Sequence, residues 1–282
     1  MTDRGPEGDG AGTVEVLGVG FDNLTRVEAA ERIAQMAVKG PKGYVVKPYS
    51  EFMTRAARDA KFREILGGAA LCLPDGVGII WAAHYLSLGG GRLRALAQFP
   101  LSQLSMLLRP QTVRGPVREP MHGVDLTWKM LAALERAGAS VYLLGGTTEE
   151  LAGTWREIER RLPGLRIAGA RHGYFRAKGE ENERVVADIN AAKADAVLVA
   201  IGSPRQEQWI AENIGALRMN VAVAEGGSFS FISGTTRRAP GWMRRAGLEW
   251  LFRLLRQPGR IRRQMVLPAF VWLVFRERWR RG

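Results

Sequence analysis

Asp75 lies in the run Leu73-Pro74-Asp75-Gly76-Val77-Gly78, whose residue types let a carboxylate take part in chemistry. Ala69 to Leu73 reads as a buried strand, and Val77 to Tyr85 as the start of an apolar helix. In the turn between them Pro sets φ, Asp can bond its own backbone, and Gly permits an open geometry. A carboxylate at the C-terminal end of a strand, with glycines after it, has room for a ligand, and open α/β sheets bind ligands at that edge. A simple helix cap at Asp75 accounts for the same residues equally well. Three further strand ends carry glycine turns: Gly145-Gly146, Gly202-Ser203 and Gly226-Gly227. Glycine lets the backbone approach a ligand, and the helix N-termini that follow favour anions. Glycines are common in such turns, but four at one edge, with Asp75-Gly76, favour a phosphate-bearing ligand. No G-x-G-x-x-G follows the first strand and no G-x-x-x-x-G-K-[ST] occurs, against a dinucleotide oxidoreductase or a P-loop ATPase.

The elements that must position these residues alternate along the chain. Thr13 to Val19 reads as a strand and Phe21 to Leu24 as a turn. Thr25-Arg26-Val27-Glu28 has capping-box spacing and opens a helix to about Val38. A strand at 43–47 and one helix at 51–66 precede the Asp75 strand. The segment 87–119, with Gly89-Gly90-Gly91 and an apolar patch from Leu93 to Leu108, reads as an insertion or lid containing a short amphipathic helix, or as a packed loop. Beyond it come a helix at 124–137, a strand at 140–144, a helix opened by Thr147 to Glu150, and a strand at 166–170. A helix at 180–192, a strand at 195–201, a helix after Pro204 and a last strand at 220–224 complete the pattern. Such alternation with near-continuous apolar strands predicts a Rossmann-like, mostly parallel sheet with helices on both faces.

Charge separates the parts. The net charge is +13, and residues 237–282 hold 13 arginines, no lysine and two acids, whereas the rest is near +2. The chain therefore divides into a lead-in at 1–12, expected to be disordered, an α/β core at 13–236 and an Arg-rich helical appendage at 237–282. In the appendage Trp242, Leu248, Leu251, Leu254 and Leu255 form one apolar stripe. The later run from Met265 to Phe275, flanked by arginines and broken by Pro268, is too short to span a bilayer. It suits a helix in the interface of an anionic membrane, or one packed on the protein's own core or a partner subunit. One cysteine and three scattered histidines make a disulfide framework or zinc site unexpected. The first residues lack the apolar region of a signal peptide, which points to the cytosol.

Taken together, several motifs resemble the WecG/TagA/CpsF family of bacterial glycosyltransferases. They are Leu-Pro-Asp-Gly-Val-Gly (73–78), Gly-Val-Asp-Leu (123–126), Leu-Leu-Gly-Gly (143–146), Gly-Ser-Pro-Arg-Gln-Glu (202–207), Arg-Arg-Ala-Pro-Gly-Trp-Met (237–243) and the run 247–260. The resemblance covers about Thr13 to Arg263. It implies a metal- and cofactor-independent inverting hexosyltransferase, peripheral on the inner face of the cell membrane. The donor would be a UDP-sugar (N-acetylmannosamine, N-acetylmannosaminuronate or a hexose), and the acceptor a polyprenyl-diphosphate-linked sugar in cell-surface polysaccharide synthesis. It assigns Asp75 as general base, Gln206 to substrate contact, and Arg253, Arg260 and Arg263 to diphosphate groups. Gly76, Gly145, Gly146, Gly202, Gly226 and Gly227 would form the nucleotide-sugar loops. An anionic membrane is the expected surface partner, homo-oligomerisation stays open, and no nucleic acid is expected.

Some positions depart from the family pattern. Where T-x-N-x-E is usual, Lys47-Pro48-Tyr49-Ser50-Glu51 stands, so Lys47 and Tyr49 are donor contacts in place of Thr and Asn, or plain core and surface residues. Ser230 replaces an Asp, and Pro120 an Arg. Asp125 and Glu249 could orient arginines through ion pairs or sit exposed on helices. Rival readings are an inactive scaffold of a polysaccharide assembly complex, and a basic nucleic-acid-binding protein. Joining a hydroxyl to an anomeric carbon needs a base, stabilisation of an oxocarbenium-like centre and neutralisation of the departing diphosphate. No Asp-x-Asp pair is present to hold a metal for the last task, while arginines abound. Transfer assayed in excess EDTA is therefore expected to keep most of its rate; a strict Mg²⁺ or Mn²⁺ requirement would contradict the arginine assignment.

Overall fold

The computed structural model describes residues 12–108, 115–121, 123–241, 243, 249–256 and 265–282; at 107, 108, 249, 250, 253 and 256 it describes the backbone alone. The chain opens with a hairpin, β1 (Thr13–Val16) and β2 (Val19–Asp22), closed by Leu17 and Gly18, both at positive φ. That two-residue turn matches the twist of paired strands. Thr25 and Glu28 complete their capping box at the start of α1 (Arg26–Lys39). Then follow β3 (Gly43–Val46), α2 (Ser50–Ala56), α3 (Ala60–Gly67), β4 (Leu71–Cys72), α4 (Gly76–Ser87) and α5 (Arg92–Leu108). The second half runs α6 (Gly123–Arg136), β5 (Ser140–Gly145), α7 (Thr148–Arg161), β6 (Arg166–Arg171), α8 (Glu180–Ala191), β7 (Ala196–Ala200), α9 (Arg205–Asn213) and β8 (Val221–Ala224). The short α10 (Ser228–Ile232), then α11 (Glu249–Arg256) and α12 (Leu267–Arg281), end the chain.

Six strands form a parallel sheet in the order β4-β3-β8-β7-β5-β6. Strands β3, β5, β7 and β8 are buried at every residue, as strands covered on both faces must be. Their side chains alternate between two cores. Val46, Leu144, Val199 and Ala224 face the core shared with α2, α3, α4, α8 and α9, whereas Val45, Leu143, Leu198 and Val223 face that of α1, α6 and α7. The Rossmann-like α/β expectation is met.

Several local readings change. The first predicted strand is a hairpin outside the main sheet, with Phe21 and Asp22 in its second strand rather than in a turn. It shields the sheet edge: Asp22 Oδ2 accepts from the Cys72 backbone N–H of β4 at 2.7 Å. The single helix predicted over 51–66 is two, because Asp59 caps α3 by accepting from Phe62 N. The helix in the 87–119 segment spans 17 residues and is packed on α4, with Tyr85 Oη donating to Ala95 O at 2.8 Å and Trp81 Nε1 to Ser102 Oγ at 3.1 Å.

Helix α12 is tied into the body. Phe270, Val274 and Arg278, spaced by four, are buried against α2, α4 and α5. Phe270 meets Trp81 edge-on at 6.3 Å and Phe275 meets Phe99 at 5.0 Å. One face of the run expected in a membrane interface is thus core of the protein itself. Among the described residues no helix is long and apolar enough to cross a membrane. Phe270→Ala should therefore lower unfolding stability by about 3–5 kcal/mol in urea titration; an unchanged midpoint would show that α12 docks without supporting the fold.

Candidate active site

All six parallel strands end at one edge. The chain leaves β3, β4 and β7 for helices on one face of the sheet, but leaves β8 and β5 for helices on the other. Strand β8 lies between β3 and β7, so its C-terminal end is the switch point at which open α/β sheets form a ligand crevice. Glu225, Lys47, Gln206 and Asp75 all follow strands at this edge.

A buried polar cluster lines the crevice floor. Lys47 Nζ lies 2.9 Å from Glu225 Oε1, with side chains 6% and 0% exposed, as an ion pair whose geometry falls short of a hydrogen bond. Glu225 Oε2 accepts from Thr127 Oγ1 of α6 at 2.5 Å, and Glu225 O accepts from Ser228 Oγ at 2.8 Å. Gln206 is buried with both ends of its amide engaged: Oε1 accepts from Gly226 N at 3.0 Å and Nε2 donates to Glu207 Oε1 at 2.7 Å. It therefore fastens the loop after β8 to α9 and is not a surface residue bonded to solvent. Burial pushes the Glu207 carboxyl up to about 7, against the opposing pull of the Gln206 amide, backbone and Ser203 hydrogen bonds and the Lys47 charge.

Asp75 occupies the N-cap position of α4, yet its side chain makes no capping hydrogen bond. Its backbone is pinned instead: Asp75 N donates to Pro48 O at 3.2 Å, and Met121 N donates to Pro74 O at 3.0 Å. The carboxylate, half-buried, points toward the first residue of α6: a Cβ on Gly123 would stand 3.9 Å from Asp75 Oδ2 and 4.0 Å from Ser228 Oγ. Asp75 and the Glu225 cluster thus meet around the start of α6. Gly76 sits against Tyr49, whose hydroxyl donates to Glu51 Oε2 at 3.2 Å.

The turn glycines divide by role. Gly145 has φ of 141°, and a Cβ there would meet Ala200 O at 2.3 Å, so close strand packing requires it. Gly146 holds neighbouring loops, donating to Ala200 O and accepting from Gly173 N. Gly202 and Gly227 face open space, and a Cβ on Gly226 would reach only the Gln206 amide, 3.9 Å away. Ser230 donates to Glu150, the capping-box acid of α7. Asp125 pairs with arginines as one expectation had it: Arg238 at 2.7 Å and Arg26 at 3.9 Å. Arg260, Arg263, Trp242 and Leu248 lie outside the described residues, as do the side chains of Arg253 and Glu249. Sequence reading missed Glu225, Glu207, Thr127 and Ser228 as members of the site. The available signal was Glu225, a charge placed directly after four apolar strand residues.

The model of the glycosyl transferase WecG/TagA/CpsF family matches residues 14–101 and 100–282. An N-acetylglucosaminyldiphosphoundecaprenol N-acetyl-beta-D-mannosaminyltransferase of Bacillus spizizenii is 29% identical over 234 residues, covering 83% of this chain and 79% of the relative. A Staphylococcus aureus protein of the same name is 26% identical over 263 residues, covering 93% and 91%.

Glu207 generates a pH prediction. Its folded pKa of about 7 exceeds the ordinary 4.5, so between those values the native state holds a proton that the unfolded chain releases. Its contribution to stability should fall as pH rises through that window, by about 3 kcal/mol in all. Urea unfolding at pH 5 and pH 8 checks this: the loss on going to pH 8 should shrink by up to about 3 kcal/mol in Glu207→Gln. Identical losses in both proteins would place the native carboxylate in its ionised form throughout.

Proposed function

The chain belongs to the WecG/TagA/CpsF family of glycosyltransferases and is a hexosyltransferase, and from that premise we propose its reaction. A sugar passes from a UDP-linked donor to a sugar carried on polyprenyl diphosphate, with inversion, and Asp75 is the base. N-acetylmannosamine is the favoured donor sugar, following the names of the relatives from Bacillus spizizenii and Staphylococcus aureus. The observation that carries this reading is the placement of Asp75: a half-buried carboxylate at a strand end, not engaged in capping its own helix, beside the start of α6.

In the step proposed, the acceptor hydroxyl oxygen bonds to the anomeric carbon while Asp75 takes its proton. The bond from that carbon to the diphosphate oxygen breaks, and its electron pair leaves with UDP. The negative carboxylate also favours an oxocarbenium-like centre. Gly202, Gly226 and Gly227 let the backbone approach the diphosphate. Arg253, Arg260 and Arg263 are assigned to diphosphate charge, in the role a metal would otherwise fill. Gln206 and Lys47 act as positioning residues through Gly226 and Glu225. Tyr49 is assigned to donor contact, a role that its position beside Gly76 supports.

Asp75→Asn should keep the fold and donor binding while lowering turnover by roughly 10²–10⁴. Asn caps helices about as well as Asp, so the variant separates base from cap. Donor binding by calorimetry and transfer to a lipid-linked acceptor are the two readouts. Near-normal turnover would sink the base assignment; lost donor binding would make Asp75 a binding residue instead.

A further inference from the structure

Helix α5 carries apolar residues on the side that faces water as well as on the side that faces the protein. Its solvent side carries Leu93, Leu96, Leu101 and Leu104, exposed by 83%, 54%, 63% and 53%. With Ala97 and Pro100, also exposed, these fall within an arc of about 140° at 100° per residue. The side turned to the protein holds Ala95, Phe99, Ser102 and Met106, with half-buried glutamines at its margins, and among the described residues Gln98 Oε1 and Gln103 Nε2 are buried without a hydrogen-bond partner. A water-facing helix would present the glutamines and bury the leucines.

We propose that the leucine face of α5 is the surface by which this chain lies on an anionic lipid bilayer. Charge selects the occupant. On α5 itself Arg92 and Arg94 are exposed and the helix has no acid, which complements anionic headgroups. The same charge opposes pairing of this face with a second copy, since two such faces would repel. The adjoining helix is of the same kind: α12 exposes Trp272, Arg276 and Arg280 at a spacing of four, an aromatic with cations as interfacial helices carry. The two helices are locked together. Arg278 Nη2 donates to Gly90 O at 2.8 Å, and the Arg92 guanidinium lies 5.7 Å over the Trp279 ring.

The surface adjoins the site. Ser102 of α5 bonds Trp81, which lies six residues after Asp75, about 9 Å along α4. A lipid-linked sugar rising from a bilayer against α5 is thereby delivered to the Asp75 end of α4. This purpose rests on the proposed function; the surface itself does not.

The test uses the full chain and vesicles free of acceptor, so it reads the surface alone. Leu96→Glu, Leu101→Glu and Leu104→Glu are combined in one variant, and Val27→Glu with Val38→Glu, exposed on α1, serves as control. Co-sedimentation with vesicles of 30% phosphatidylglycerol in phosphatidylcholine should weaken at least tenfold in the α5 variant and hardly change in the control. Wild-type binding should fall with added salt and on vesicles of phosphatidylcholine alone. Hydrogen exchange on the unaltered protein gives a reading independent of substitution: amides of 92–108 should gain protection when vesicles are added. Transfer to a water-soluble acceptor analogue should survive in the α5 variant, and its loss from wild type too would indict the proposed reaction, not the surface. Unchanged vesicle binding of the variant, or no added protection in 92–108, overturns the proposal. So does a wild-type dimer that the substitutions dissociate while vesicle binding persists, which would make the face a subunit interface.

Discussion

The buried pair of Lys47 and Glu225 is the constraint around which the crevice is built. Two charges withdrawn from water at the ends of adjacent strands lose several kcal/mol of hydration each, and mutual attraction offsets that only with good geometry and further hydrogen bonds. Those partners fix the neighbouring elements. Thr127 brings α6 to Glu225, the Glu225 carbonyl holds Ser228 of α10, and Gln206 fastens the following backbone to α9. Elements from both faces of the sheet thus converge on Glu225 and the glycine that follows it. Glu207 shares this dry ground but lacks a full ion pair, and it answers by keeping its proton to near neutral pH. For Glu207 burial outweighs the opposing pull of its hydrogen bonds and of the Lys47 charge.

Asp75 is held by different means. Its backbone is pinned from two sides, by Pro48 after β3 and, through Pro74, by Met121 before α6. Its helix is held from a third: Phe270 of α12 lies where a Cβ on Gly78 would stand 3.6 Å from its ring. The carboxylate is thus carried on a fixed backbone, with its side chain not engaged in capping its own helix. The C-terminal helix consequently bears on the geometry of the Asp75 turn as well as on the core.

The fold was legible because strands β3, β5, β7 and β8 are near-continuous apolar runs, and only burial on both faces explains such runs. Boundaries were less so. The turn at Leu17-Gly18 needs a leucine at positive φ, which residue type does not advertise, and the break before α3 hangs on the one cap Asp59. In the site, glycine turns and Asp75 stood out because turn chemistry is local. Glu225, Thr127 and Glu207 did not, because their roles arise from contacts across 98 and more positions or from burial, which composition cannot express. Gln206 was noticed for its motif, but its burial and its grip on Gly226 emerge only from three-dimensional neighbours.

Among the described residues local pattern and global placement agree over most elements, which gives weight to α5, a helix where they conflict. The sequence of α5 reads as an ordinary amphipathic helix, and periodicity alone would turn its leucines inward. The fold turns them outward because the inner side is already set: Tyr85 and Trp81 take Ala95 O and Ser102 Oγ, and Phe99 fills the space between them and Phe275. Specific aromatic contacts and hydrogen bonds therefore outweigh the transfer of four leucines from water, a transfer of roughly 1.5–3 kcal/mol for each one fully buried. An exposed leucine face is stable in water only at a standing cost, and an apolar phase against the helix removes it. The acceptor proposed for this enzyme would belong to that phase by its polyprenyl chain, and the helix that breaks the rule would then lie where its substrate is met.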